Sequence, residues 1–274
     1  MFDTSFFPDW LAPDLIDDET FGIAYDAVPD NKRAWLKTTI ARLHVLYGTP
    51  QVTWGRQENH WRQGHVSITE TRPVDFALVL VDSRYASGVR LLAAAMMPLL
   101  GGVEDILVAF TGDAPVAPEC LAALELAGIE AAVQCSVEKG TELLTVCNNS
   151  SVTGRVITLG TGARTLARQS CASSNFVQVW DEPSFSAIGV HKNGAFDTAL
   201  LAWAHPDWDV VEVTEDDFAE DRSFAAVCCE SDIVDAVPDY IPVSLGAGQE
   251  GCWIWPDLTP QWFMHRRFSL LSEV

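Results

Sequence analysis

Between residues 75 and 133 the chain alternates short, unbroken apolar runs with longer apolar-rich stretches of helical spacing. Residues 76–81 (FALVLV) and 106–110 (ILVAF) contain no polar position. That pattern predicts strands buried on both faces. The stretches 87–100 and 118–127 carry apolar residues around most of a helical cylinder, and the second ends at Gly128, a usual helix stop. Strand, helix, strand, helix, strand in this order predicts a parallel sheet in an α/β domain. Such sheets take ligands beyond the carboxyl ends of their strands. A site is therefore expected at 81–88 and 110–115.

A second block follows, with strands predicted at 155–159, 176–180, 185–190, 210–213 and 224–228 and helices at 162–170 and 196–204. The expected fold class is α/β, with two Rossmann-like domains of mostly parallel sheets spanning 74–150 and 151–245. The polar passage 139–151, with Asn148, Asn149, Ser150 and Ser151, reads as the linker between them. Upstream, Asp30 caps a predicted helix over 31–47 that Gly48 ends. Its buried face is Trp35, Leu36, Ile40, Leu43 and Leu46. Segments 51–54 and 65–69 are expected to pair as a polar hairpin. Residues 1–73 thus form an arm, a helix and a hairpin. Phe6, Phe7, Trp10 and Phe21 of the arm are costly to leave in water. Residues 246–274, with Trp253, Trp255, Trp262 and Phe263, read as an aromatic tail that packs across a boundary.

Composition narrows the function classes. The formal net charge is −21, which repels phosphate backbones and anionic membranes, so no nucleic-acid or membrane partner is expected. The seven cysteines include no CxxC pair, which argues against a zinc ribbon and against a disulfide framework. Most of them are expected to sit in the core as small apolar residues. The N-terminus is acidic and lacks the basic region of a signal peptide, and the longest apolar run, 91–100, is too short to span a bilayer. A cytoplasmic protein is expected. His60 and His65 lack helical ligand spacing and a clear third ligand.

Several motifs in order resemble the histidinol dehydrogenase family. Tyr85–Ala86–Ser87–Gly88–Val89 is followed by the apolar helix 91–100 and by Gly102–Val103–Glu104. Leu126–Ala127–Gly128–Ile129, Gly160–Thr161–Gly162–Ala163 and Glu182–Pro183–Ser184–Phe185 follow in register with the family's later turns. The similarity covers roughly residues 75–260. It implies a homodimer and a reaction in which NAD oxidises an amino alcohol, with zinc orienting the substrate. The family's zinc histidine falls on His205, but its glutamine ligand falls on Ala202 or Trp203 and its aspartate ligand near Gly246. Its Glu-His proton-transfer pair falls on Asp239 and Tyr240. Zinc is therefore not expected, and a tyrosine with an intrinsic pKa near ~10 replaces a histidine poorly as a base.

Three readings follow. In the first, the chain is a diverged member without dehydrogenase activity that binds a small molecule between its domains. His205, Asp239, Tyr240 and Arg84 would line that site. In the second, NAD-dependent oxidation survives without metal, with Asp239 as base and Gly160 and Gly162 approaching the cofactor. In the third, the chain is a structural dimer without a ligand. Arg84 and Ser87, beside Ser83 and Arg90 at a helix start, are candidate anion or cofactor ligands, although capping and surface charge are the plainer roles. For His205, between Trp203 and Trp208, a packed core histidine is the plainer role. No GxSxG elbow or GxxxxGK[ST] loop occurs, which leaves hydrolase and P-loop chemistry without support.

Overall fold

The computed structural model describes residues 6–48, 54–171, 176–192, 194–219 and 224–272. It begins with helices α1 (Asp18–Ala27) and α2 (Asp30–Tyr47) and strands β1 (Gly55–Trp61) and β2 (His65–Pro73). A βα series follows: β3 (Phe76–Asp82), α3 (Gly88–Leu100), β4 (Asp105–Thr111), α4 (Pro118–Ala127), β5 (Ala132–Cys135), α5 (Val137–Asn149), β6 (Gly154–Leu159), α6 (Thr161–Ser170) and β7 (Val177–Asp181). The chain continues through β8 (Ala187–His191), α7 (Thr198–Ala204), β9 (Asp209–Val213), β10 (Phe224–Cys228), β11 (Ser244–Leu245) and β12 (Met264–Ser272).

Five strands form one parallel sheet in the order β5-β4-β3-β6-β7. The chain enters at the centre with β3, lays β4 and β5 to one side, then crosses to lay β6 and β7 on the other. This is the Rossmann-like order, with a topological switch point between β3 and β6. Strand β3 shows why its sequence is apolar throughout. Successive side chains point to opposite faces. Ala77, Val79 and Val81 join the core formed with α3 and α4, whereas Phe76, Leu78 and Leu80 join Leu143 and Leu144 of α5 and Ala163 and Ala167 of α6.

The division expected at 150/151 is corrected by this topology. Strands β6 and β7 pair into the first sheet, so the crossing to the second sheet follows Asp181. The supposed linker 139–151 is mostly helix α5. Its Gly140, Leu143, Leu144 and Cys147 are buried at i, i+3, i+4 and i+7, a helical stripe that the surrounding polar residues disguise. The N-terminal segment packs on its own chain. Phe6 stacks on Phe76 with centroids 3.9 Å apart, and Phe7 and Leu11 are buried on the same face of the sheet. Residues 1–5 of that segment lie outside the described residues.

The second sheet is also parallel, in the order β11-β10-β8-β9. The tail expected at 246–274 splits in two. Trp253, Trp255 and Phe263 are buried in the main core, whereas 264–272 form strand β12, which pairs antiparallel with β2. With β1 on its other side, β2 is the centre of a three-stranded ribbon. The hairpin partner of β2 is 55–61 and not the expected 51–54, of which 51–53 lie outside the described residues. Among the described residues no helix is long and apolar enough to cross a membrane.

Gly88 opens α3 where that helix crosses α4. A Cβ there would lie 2.3 Å from the Glu119 carbonyl oxygen and 2.7 Å from its carbon. Backbone cannot retreat as a flexible side chain can. Gly88→Ala is therefore expected to lose about 2–3 kcal/mol, as overpacked cores do. Urea unfolding measures this, and a loss below roughly 0.5 kcal/mol, the usual range of a bland surface substitution, would show that the two helices separate freely.

Candidate site at the sheet's switch point

The carboxyl ends of β3, β4 and β6 open into two adjoining cavities. The larger, of about 650 Å³, is lined among others by Asp82, Thr111, Asp113, Thr161, Gly162 and Thr165. The smaller, of about 500 Å³, is lined by Asp82, Arg84, Tyr85, Gly160, Pro206 and Asp207, among others. Asp82, Arg84 and Thr161 border both. The position is that expected from the strand ends at 81–88 and 110–115. Three of the candidate cofactor residues, Arg84, Gly160 and Gly162, meet there.

Two backbone amides at this mouth are already engaged. The Gly162 N–H at the start of α6 donates to Asp82 Oδ2 at 3.2 Å, and the Gly160 N–H donates to Glu182 Oε2 at 2.9 Å. These are the kind of donors that a helix start offers to a phosphate. A Cβ on Gly162 would sit 2.5 Å from Asp82 Oδ2, and one on Gly160 would sit 2.9 Å from Asp82 Cβ. The glycines thus make room for the chain's own carboxylate. Asp113 adds a second carboxylate to the larger cavity. Arg84, the cation common to both, is itself 3.5 Å from Asp82. A nicotinamide dinucleotide seated by its pyrophosphate at α6 does not fit these residues.

Behind the mouth lies a buried polar cluster. Arg90, on α3, donates to Glu182 Oε1 at 3.1 Å and pairs with Asp207. The Tyr85 hydroxyl donates to the same Glu182 oxygen at 2.8 Å. The Arg90 guanidinium lies 4.0 Å from the centroid of Trp208 and 5.0 Å from that of Tyr85. Burial works against the Arg90 charge, but the Glu182 and Asp207 carboxylates outweigh it and hold its pKa above the ordinary value. Burial pushes the Glu182 carboxyl up, and Arg90, the Gly160 amide and Tyr85 pull it back in part. Burial also pushes the Tyr85 phenol well up, so it is a neutral donor. The cluster ties β3, α3 and the end of β7 to the turn after α7.

The remaining candidates fall elsewhere. The Ser87 hydroxyl accepts from the Arg90 N–H at 3.1 Å and donates to the Ala204 carbonyl at 2.6 Å, so it caps α3 and joins it to α7. His205 is fully buried, with its ring parallel to Trp208 at 5.0 Å and edge-on to Trp253 at 4.8 Å. Neither of its ring nitrogens has a hydrogen-bond partner, and burial holds its pKa far below the ordinary value. This is the packed core histidine, held neutral. Neighbouring Ala202 and Trp203 offer a metal no oxygen donor. Among the described residues no three His, Cys, Asp or Glu side chains group as metal ligands. Asp239 and Tyr240 are exposed on the loop before β11 and line neither mouth cavity. His205, Asp239, Tyr240 and Arg84 therefore do not share one surface.

All seven cysteines are buried and unbridged. Burial pushes Cys135 and Cys171 up to about 11 and Cys228 up to about 12, which leaves them as protonated thiols at neutral pH.

No protein-family model matches this sequence, and no curated protein does. Solved structures do match. A histidinol dehydrogenase from Elizabethkingia anophelis superposes with a TM-score of 0.59 at 12% identity, covering 99% of this chain and 78% of that one. An aldehyde dehydrogenase from Brucella melitensis biovar abortus 2308 superposes with a TM-score of 0.52 at 11% identity, covering 95% of this chain and 91% of that one. At such identities the likeness is one of fold. The chain has a distant, dehydrogenase-like α/β fold, and its site rests on its own residues.

Proposed function

We propose that this chain is a dehydrogenase-fold protein that binds a small amino alcohol at the switch-point mouth and has lost NAD-dependent oxidation. One observation carries the reading. Asp82 and Glu182 hold two of the amides at the start of α6 that a dinucleotide phosphate would use. The acidic lining of the larger cavity suits a different ligand. Asp82 and Asp113 accept hydrogen bonds and favour an ammonium group, while Thr111, Thr161 and Thr165 can pair with a hydroxyl. The fold-level likeness to dehydrogenases supports a ligand at this end of the sheet.

Thermal unfolding tests the reading. A ligand that binds only the native state raises stability as RT ln(1 + [L]/Kd). Histidinol or ethanolamine is expected to raise the midpoint, and NAD and NADH are expected to leave it in place. Asp113→Asn is expected to weaken amine binding roughly 10-fold, the scale of one charge-assisted hydrogen bond. A midpoint rise with NAD or NADH would instead restore the oxidoreductase reading.

The reading includes a homodimer in which a second copy covers the β1-β2-β12 ribbon. Its outer strands β1 and β12 are mostly exposed, whereas the central β2 is half-buried. Its three strands carry four arginines against two glutamates, in a chain of net charge −21, so the acidic body of a second copy is its electrostatic complement.

A further inference from the structure

A third cavity, of about 640 Å³, lies at the opposite end of the first sheet. It forms where β2 and β12 of the ribbon meet the amino ends of β3, β6 and β7. Its polar lining includes Arg72, Asp75, Thr153, Arg155, Gln178 and Arg266.

Arg155 is the unusual member. It is only 7% exposed, and its guanidinium donates only to backbone carbonyls, from Nε to Trp262 at 2.8 Å and from Nη1 to Gly154 at 3.0 Å. It also lies 5.3 Å from the centroid of the Trp262 ring. No described carboxylate pairs with it. Burial acts against its charge, yet a guanidinium cannot shed its proton in a protein. A buried charge without a counter-charge is costly.

The carboxylate in the same lining is already committed. Asp75 accepts from Arg72 at 2.6 Å, from the Thr153 N–H at 2.7 Å and from the Thr153 hydroxyl at 2.8 Å. Arg266, exposed on β12, pairs with no described carboxylate. Two arginines thus lack an anion at one cavity, in a chain with 38 acidic and 17 basic residues. With so many carboxylates elsewhere, a local surplus of positive charge is a specific feature of this place.

We propose that this cavity binds a small molecule through an oxyanion, a phosphate or a carboxylate, held by Arg155 and Arg266. Both anions match the fork of guanidinium donors. The site is at the other end of the sheet from the amino-alcohol mouth and shares no residue with it.

Isothermal titration of the full chain in a zwitterionic buffer of low ionic strength tests the site. The probes are inorganic phosphate, sulfate and citrate. At least one is expected to bind with a stoichiometry of one per chain. Binding of phosphate and sulfate without citrate would identify a phosphate-type ligand, and the reverse would identify a carboxylate. Arg266→Glu is expected to weaken that binding roughly 10–100-fold. Arg155→Lys, which keeps the charge but loses the fork, is expected to weaken it as well. Absence of binding by all three probes would overturn the proposal. So would binding that both variants retain at full strength, which would mark an adventitious ion only.

Discussion

Arg90→Ala is expected to lose about 3–5 kcal/mol of folding stability, the cost of breaking a buried ion pair from one side. The guanidinium is 1% exposed, and it is the cation that faces Glu182. Without it, Glu182 keeps only the Tyr85 hydroxyl and the Gly160 amide. Two aromatic faces, Trp208 and Tyr85, also lose their packing partner. The loss carries a pH signature. Burial already pushes the Glu182 carboxyl up, and removing Arg90 removes the largest opposing influence. An acid whose folded pKa is raised favours folding below its unfolded value and loses that contribution as pH rises through the folded one. The variant's deficit should therefore be smaller near pH 4 than at pH 7.5, a window set by the unfolded glutamate value near ~4.3. Urea unfolding at both pH values measures it. A deficit below about 1 kcal/mol, against the range for a broken buried pair, or one that shrinks as pH rises, would show that the cluster is not a buried ion pair in solution. Arg90→Met combined with Glu182→Leu should recover part of the loss, since both charges then leave together.

The same residues show how far the sequence could be read. Strand β3 was legible because both its faces are buried, which forces an apolar run. Its end was legible too, because Asp82 is the first polar residue after that run, and strand ends of such sheets face ligands. The partners of Asp82 were not legible. One reading sets Gly160 and Gly162 against a cofactor, and only the fold shows that a carboxylate 80 residues away fills that place. Arg90 did leave a signal, as a lone cation in the apolar stretch 88–100. A fully buried arginine requires a partner, and Glu182 beside Pro183 is where the chain supplies one. Helix α5 was hidden by its polar residues, although 140, 143, 144 and 147 carry its period. The ribbon was the least readable part. Strand β1 reads Gly-Arg-Gln-Glu-Asn-His-Trp and has no apolar alternation, because neither of its faces packs within the chain. Alternation records burial, so a strand buried by nothing in its own chain lacks the pattern.

That absence leads to the second large effect. Phe268→Glu with Leu270→Glu is expected to convert the proposed dimer into a monomer, raising the dissociation constant at least ~1,000-fold. Each buried carboxylate would cost several kcal/mol, and ~1.4 kcal/mol is tenfold. Three strands become independently stable when a face packs on something. Here Phe268 and Leu270 are each 61% exposed, and Trp61 and Leu271 about half so. Phe268 and Leu270, two apart on β12, stand on one face of the ribbon. Arginines dominate the ribbon's charge, and the rest of the chain is strongly acidic. The proposed dimer therefore sets the ribbon against the body of another copy and not against another ribbon. Light scattering at micromolar concentration separates the outcomes. Since the replaced side chains are exposed, the variant should keep the far-ultraviolet circular dichroism of the parent and halve its mass. A parent that stays monomeric across the accessible concentration range would remove the second copy as the ribbon's cover. A variant that stays dimeric would move the interface away from β12.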